Sequence, residues 1–326
     1  MKSGKLPESM LKRSIFKQIR NKRKEVITGA KVGIDGAVID VRGAESVITS
    51  SSYACGSSEE DVYMAVVHAI NNVKVMGGNP VAVEDVILIP EDYNEPELRK
   101  IVEALEKAAC DANIQICGGH TQIVSAVNEP VITVNVIGMT DKIMTKSKAH
   151  AGMDIVMVGY SGMEGVYLAT LKKEDVIKEK YNTYIYDMIM EYKNNLLIKD
   201  EAKIAISAGA DILHDIGEGG VFGALWDIAQ VAGTGIKVDF KKIPIKQETI
   251  EVCEIFDINP YALKSAGSFI IICDRGYDMA EYLRSNDIDA TVIGTTTDNN
   301  DRILINEDEV RYLEPPKRDE YYSFFA

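Results

Sequence analysis

Residues 95–113 read EPELRKIVEALEKAACDAN, and Leu98, Ile101, Val102, Leu105 and Ala109 recur at the spacing that places them on one helical face. Residues 59–76, EEDVYMAVVHAINNVKVM, predict a second helix. Its acids gather at the N-terminal end, where the helix dipole favours them, and GGNP stops it. Short apolar runs alternate with these helices. SVITSSSYAC, VAVEDVILIP, IQICGG and PVITVNVIGM predict strands, with VAVEDVILIP buried. VITGAKVGIDGAVIDV is extended chain broken at its glycines, and the basic LKRSIFKQIRNKRK predicts one amphipathic helix followed by a loop.

The stretch MTDKIMTKSKAHAGMD is polar and without periodicity, so a domain boundary is expected near residue 150, giving domains 1–150 and 151–326. A second α/β pattern follows. DIVMVGYSG is a strand running into a glycine turn, and helices are expected over 163–172 and 180–208. GVFGALWDIAQVAG is a helix closed by a glycine, and KVDFKKIPI and SFIIICD are strands. The tail after Asn306 is polar and aromatic.

Composition narrows the function classes. The net charge is -14 over 326 residues, which argues against a nucleic acid or an anionic membrane as partner. No apolar run approaches the roughly 18 residues of a membrane span, and the basic start lacks the apolar core of a signal peptide. The five cysteines form no CxxC pair, which disfavours zinc and suits free thiols in a reducing cytoplasm.

Four constellations could carry chemistry. In VGIDGAVID, glycines flank Asp35; its carboxylate suits magnesium or a ribose hydroxyl, or an Asp-Gly turn. In INNVKVMGGNP, Asn71 and Asn72 interrupt an apolar helix, so one of them is a candidate to bond a ligand or a metal-bound water. In ICGGHTQIV, Gly118 and Gly119 leave bare N–H groups for a phosphate, with His120 and Thr121 beside them; the alternative is a structural histidine in a tight turn. In LHDIGEGGVFGALWDIA, Asp215 and Glu218 precede two glycines and a helix start, either an anion site with carboxylates for its counter-cation or a pair of capping acids. GYSGMEG imitates part of a GxxGxxG pattern, and no P-loop or Rossmann fingerprint occurs.

Taken in order, these pieces resemble the superfamily of aminoimidazole ribonucleotide (AIR) synthase and the hydrogenase maturation factor HypE. GKLPESML, IDGAVID, INNVKVMGGNP, the GGHT segment with its flanking strands, LHDIGEGGVFGALWDIA and KKIPIKQETIEVCEIFDINPYALKSAGSFIIIC carry the likeness, and RYLEPPKRD resembles the end of HypE. The resemblance implies an α/β fold of two domains, the first forming a β-barrel across a homodimer. It implies an ATP site with magnesium, to which Asp35, Asn72, Gly118, Gly119, His120 and Thr121 are assigned. Asp35 and Asp215 are the metal candidates, with Asp40 and Glu218 also available. His120 and Asp215 are the catalytic candidates.

The reaction implied is ATP-dependent phosphorylation of a carbonyl, amide or carbamoyl oxygen on a small-molecule or protein-borne substrate. Two alternatives stand beside it: a phosphotransferase resembling thiamine-monophosphate kinase, and a non-catalytic nucleotide-binding or scaffold dimer, with hydrogenase maturation as a setting. Some positions depart from the family. Ser51 and Asn72 stand where aspartates are usual, Gln122 where HypE has lysine, and Ala266 where HypE has glutamate. HypE ends in a cysteine that carries the carbamoyl group, whereas this chain ends YYSFFA, with Cys273 its last thiol. Tyr321, Tyr322, Phe324 and Phe325 instead predict a tail that docks on the protein body or across a dimer.

Overall fold

The computed structural model describes residues 4–5, 8–30, 37–41, 43–142, 144, 149–315 and 318–325. It divides into two compact units, Met1–Ile143 and Met144–Ala326. The sequence boundary near 150 lies a few residues after this division.

The first unit contains β1 (Gly4–Lys5), α1 (Glu8–Met10), β2 (Val26–Thr28), β3 (Val38–Ile39), β4 (Ser46–Cys55), α2 (Glu59–Val75), β5 (Asn79–Ile89), α3 (Glu95–Asp111), β6 (Gln115–Ile123) and β7 (Val131–Thr140). Each long helix starts where a side chain can satisfy a free amide. Ser58 accepts from Asp61 N–H, and Asn94 and Glu97 form a reciprocal capping box. Five strands make one sheet in the order β1-β6-β5-β7-β4. Strand alternation sends Ile132, Val134 and Val136 into the buried layer, where β7 and β4 meet α2. The intervening Val131, Thr133, Asn135 and Ile137 face the other way and stay half-buried or exposed. One face of the sheet is therefore covered by helices, and the other carries exposed Val47, Tyr53 and Val86.

The N-terminal helix is shorter than the sequence predicts: it is continuous from Glu8 to Phe16 and then gives way to irregular chain. The cause is Glu106 of α3. Its Oε1 accepts the backbone N–H groups of Arg20 and Asn21, each at 2.6 Å, offering them a partner outside a helix.

The second unit contains β8 (Asp154–Val158), α4 (Met163–Lys172), α5 (Glu174–Met190), α6 (Glu201–Ser207), β9 (Ile212–Asp215), α7 (Gly220–Ala232), β10 (Gly235–Asp239), α8 (Gln247–Ile255), β11 (Phe269–Cys273), α9 (Gly276–Arg284), β12 (Ala290–Thr297), β13 (Arg302–Asn306) and β14 (Glu309–Tyr312). Seven strands pair in the order β14-β13-β10-β12-β8-β11-β9. All five residues of β11, FIIIC, are buried, as a central strand covered on both faces requires. Val221, Leu225 and Ile228 of α7 join Ile155, Met157, Ile270 and Ile272 in the core.

The single helix expected over 180–208 is two. A short 3-10 turn, Glu191–Asn195, follows α5, and Leu196, Leu197 and Ile198 turn into the core before α6. Asn194 and Asn195 are poor helix formers, and burial of the three apolar residues outweighs helix continuation. Gly165 of GYSGMEG serves packing: a Cβ there would lie 2.3 Å from Leu263 Cδ1. The C-terminal tail docks on the second unit, as its aromatic residues predict. Tyr321 and Phe324 are buried, with the Phe324 ring edge-on to Phe256 at 5.1 Å; the side chain of Phe325 lies outside the described residues.

Candidate functional site

A cavity of about 310 Å³ opens on the uncovered face of the first unit's sheet. Ser51 of β4, Glu84 and Asp85 of β5, Gly119 and His120 of β6, and Asn135 of β7 line it. Asn135 Nδ2 donates to Ser51 Oγ at 2.8 Å, tying two walls together.

Glu84 and Asp85 are the chemical centre, and the sequence reading placed them in a wholly buried strand. Consecutive strand residues should point to opposite faces, yet both line the cavity. The β5–β6 register slips here: Val83 faces Ile116, while Glu84 faces Gly118 and Asp85 faces Gly119. The glycines make room for the acids. A Cβ at Gly118 would sit 2.9 Å from Glu84 Oε1, and one at Gly119 would sit 2.8 Å from Asp85 Oδ1. Gly119 also has φ 154°, a conformation side chains rarely adopt.

Neither carboxylate has an ion-pair or hydrogen-bond partner among the described residues. Burial, then the charge of Glu84, push the Asp85 carboxyl up to about 7. Two adjacent acids with no counter-charge among the described residues are the donor set a hard cation takes when phosphate oxygens and water complete its shell. The residues present therefore fit magnesium bound with a nucleotide. Among the described residues no group of three or more His, Cys, Asp or Glu side chains forms a metal cluster.

The candidates named from sequence divide. Gly119 and His120 line the cavity, and Gly118 lies against Glu84. His120 is exposed, its Nε2 2.9 Å from Gln122 Oε1. Thr121 is buried and does not line the cavity. Asn72 is not a cavity residue: its Nδ2 donates to Ser50 Oγ at 3.2 Å, whereas the next residue, Ser51, points to the open face. Asn71 is buried. Asp35 lies outside the described residues. Asp40 is half-buried beyond β3, with its N–H donating to Glu25 O.

Asp215 and Glu218 belong to the second unit. Asp215 is half-buried at the end of β9 and Glu218 is exposed. The anion position expected at the start of α7 has an internal occupant: Asp319 of the tail accepts Gly219 N–H at 2.7 Å and Tyr321 N–H at 2.8 Å. Burial raises the Asp319 carboxyl to about 6, despite these bonds and Lys264 nearby. Close by, Glu164 is fully buried, with Lys264 Nζ 3.2 Å from Oε1 and Ala266 N–H donating to Oε2. Burial opposes the Lys264 charge, but Glu164, Tyr321 and Asp319 outweigh it and raise its pKa. The sequence reading missed this buried pair.

A helix-backed sheet with carboxylates on its open face, followed by a second α/β unit, defines the class. The AIR synthase related protein family matches both parts: its N-terminal domain covers residues 33–140 and its C-terminal domain 150–306. The chain belongs to this family. It is 25% identical over 322 residues to a protein of Methanocaldococcus jannaschii named for hydrogenase expression/formation, covering 93% of this chain and 91% of that one. It is 26% identical over 255 residues to the thiamine-monophosphate kinase of Pyrococcus horikoshii, covering 78% and 77%. The crystal structure of hydrogenase maturation protein HypE in complex with ATP superposes with a TM-score of 0.77 at 16% identity, covering 98% of this chain and 97% of that one. The expected two-domain fold is thereby established.

Proposed function

We propose that the chain binds ATP with magnesium in the first unit's cavity and uses it to phosphorylate a carbonyl, amide or carbamoyl oxygen, turning that oxygen into a leaving group. The observation that carries this reading is the pair of carboxylates, Glu84 and Asp85, that have no ion-pair or hydrogen-bond partner among the described residues and are set against Gly118 and Gly119. Magnesium would neutralise phosphate charge there, with Glu84 and Asp85 as its protein ligands. Gly119 lets the backbone approach the phosphates, and His120 at the mouth reaches the phosphate or the substrate. Asp35 and Asp215 remain proposed metal ligands, and Asp215 a proposed catalytic group. The homodimer is part of the proposal: exposed Val47, Tyr53 and Val86 give the open face an apolar surface suited to a second copy. Family membership and the ATP complex of HypE support the nucleotide.

A thiamine-monophosphate-kinase-like phosphotransfer is the second reading, favoured by the Pyrococcus relative. Titration calorimetry with ATP, with and without magnesium, tests the site. Saturable binding that Asp85→Asn weakens at least tenfold is expected, and no binding at millimolar nucleotide in either condition sinks the reading. ADP release with thiamine monophosphate, compared with small carbamoyl and amide compounds, then separates the two reactions.

A further inference from the structure

The second unit holds a larger cavity, about 440 Å³, within the size range of small-molecule sites. Its floor is aromatic. Phe222 of α7 stacks on Tyr261 with centroids 5.7 Å apart and planes at 18°, and Phe240 meets Tyr261 at 4.6 Å. These rings back onto the hydrophobic core, so the floor is fixed in place. Unused polar groups converge above it. The Tyr261 hydroxyl has no hydrogen-bond partner among the described residues, although burial holds it in its neutral, donating form. Asn259 uses its Oδ1 on Tyr261 N–H, which leaves its amide NH₂ free to donate, and the Asn306 side chain makes no bond among the described residues.

The charges on the wall define what fits. Arg311 is engaged with Glu309 at 2.8 Å. Arg318 is exposed, lies 4.9 Å from the Tyr322 ring, and has no carboxylate partner among the described residues. Glu314 and Glu320 line the same cavity, so the site does not favour a polyanion. The N-terminus of α7 offers no anion position here, because Asp319 already takes Gly219 N–H.

From the aromatic floor, the tyrosine and asparagine groups without partners among the described residues and the single available arginine, we infer that this cavity binds a planar heteroaromatic molecule bearing one anionic group, the ring packed against the Phe222–Tyr261–Phe240 cluster and the anion on Arg318. A flat ring matches the stacked floor, and ring nitrogens or carbonyls match the Tyr261 and Asn259 donors. A carboxylate or a phosphodiester, each singly charged, matches Arg318 beside two acids. The inference stands apart from the nucleotide reading, since every residue used lies in the second unit.

Quinoline-2-carboxylate is the probe, titrated by calorimetry into the full-length chain, with quinoline as its uncharged counterpart. One saturable site is expected, at least tenfold weaker for quinoline, for Tyr261→Ala and for Arg318→Gln, and partly restored in Arg318→Lys. Arg318 is exposed, so its variants should keep the parent melting temperature. Asp85→Asn should keep probe binding while losing magnesium-dependent nucleotide binding, so the two readings fail separately. Absence of saturable binding at millimolar probe overturns the inference, as does equal binding by Arg318→Gln or by quinoline.

Discussion

Asp85 Oδ1 occupies space that a side chain at residue 119 would need: a Cβ on Gly119 would stand 2.8 Å from it and 2.6 Å from the Asp85 carbonyl oxygen. The glycines that look like a phosphate loop in the sequence are thus first of all the space in which two acids sit. Gly119→Ala should cost about 1–3 kcal/mol through overpacking, and should weaken magnesium-dependent ATP binding by displacing Asp85. Urea unfolding and calorimetry on the same variant read both effects. Unchanged stability together with unchanged binding would contradict the arrangement.

Burial, then the charge of Glu84, push the Asp85 carboxyl up to about 7, far above its ordinary 3.8. A protonated carboxyl does not hold a cation, so magnesium-dependent nucleotide binding should strengthen as pH rises through about 7. Without a cation the sign for stability is opposite. Between about 4 and 7 the folded chain binds a proton that the unfolded chain has released, so the stabilisation present at low pH fades as pH rises through 7. Binding titrations from pH 6 to pH 8 test the first trend and urea unfolding of the metal-free chain from about pH 4 to pH 8 tests the second, and Asp85→Asn should flatten both.

Lys264 is the cation facing the fully buried Glu164. Lys264→Met should destabilise the second unit by about 3–5 kcal/mol, because it strands a buried charge. The double variant Glu164→Gln/Lys264→Met should recover much of that loss. Trp226, the chain's single tryptophan, lies in this unit and reports its unfolding by fluorescence. A single variant as stable as the parent would refute the pairing.

The open sheet face predicts a dimer. Light scattering should give about twice the 35.9 kDa of the chain. Val47→Asp, at a position 48% exposed in the single chain, should shift the population to monomer without lowering the melting temperature of the fold. A parent protein that is monomeric at micromolar concentration removes the dimer.

The tail is anchored by Asp319, Tyr321 and Phe324, all buried. Phe324→Ala should cost about 3–5 kcal/mol and make the last residues sensitive to protease.

The sequence by itself determined the elements whose signals are local. Apolar spacing in 95–113 marks α3, and alternation in PVITVNVIGM marks β7 with one covered and one open face. The ordered motifs also carried the family and the two-unit fold. Where a distant residue competes for the backbone, the pattern was not enough: Glu106 ends the first helix early, and the buried Leu196–Leu197–Ile198 corner splits the helix expected over 180–208. The site itself is tertiary. Two acids in the middle of VAVEDVILIP were a legible signal, since a buried strand does not carry adjacent carboxylates without a reason. That the reason is Gly118 and Gly119 could not be read from spacing. α3 separates the two strands in the chain, and only the parallel β5–β6 pairing, with its one-residue slip, brings the acids opposite the glycines. Likewise, Ser50 and Ser51 are neighbours in sequence, yet strand geometry gives one to Asn72 on the helix side and the other to Asn135 on the open face. Periodicity fixes which face a residue shares with its near neighbours; register, set by the packing of the whole sheet, fixes what it meets across the strands.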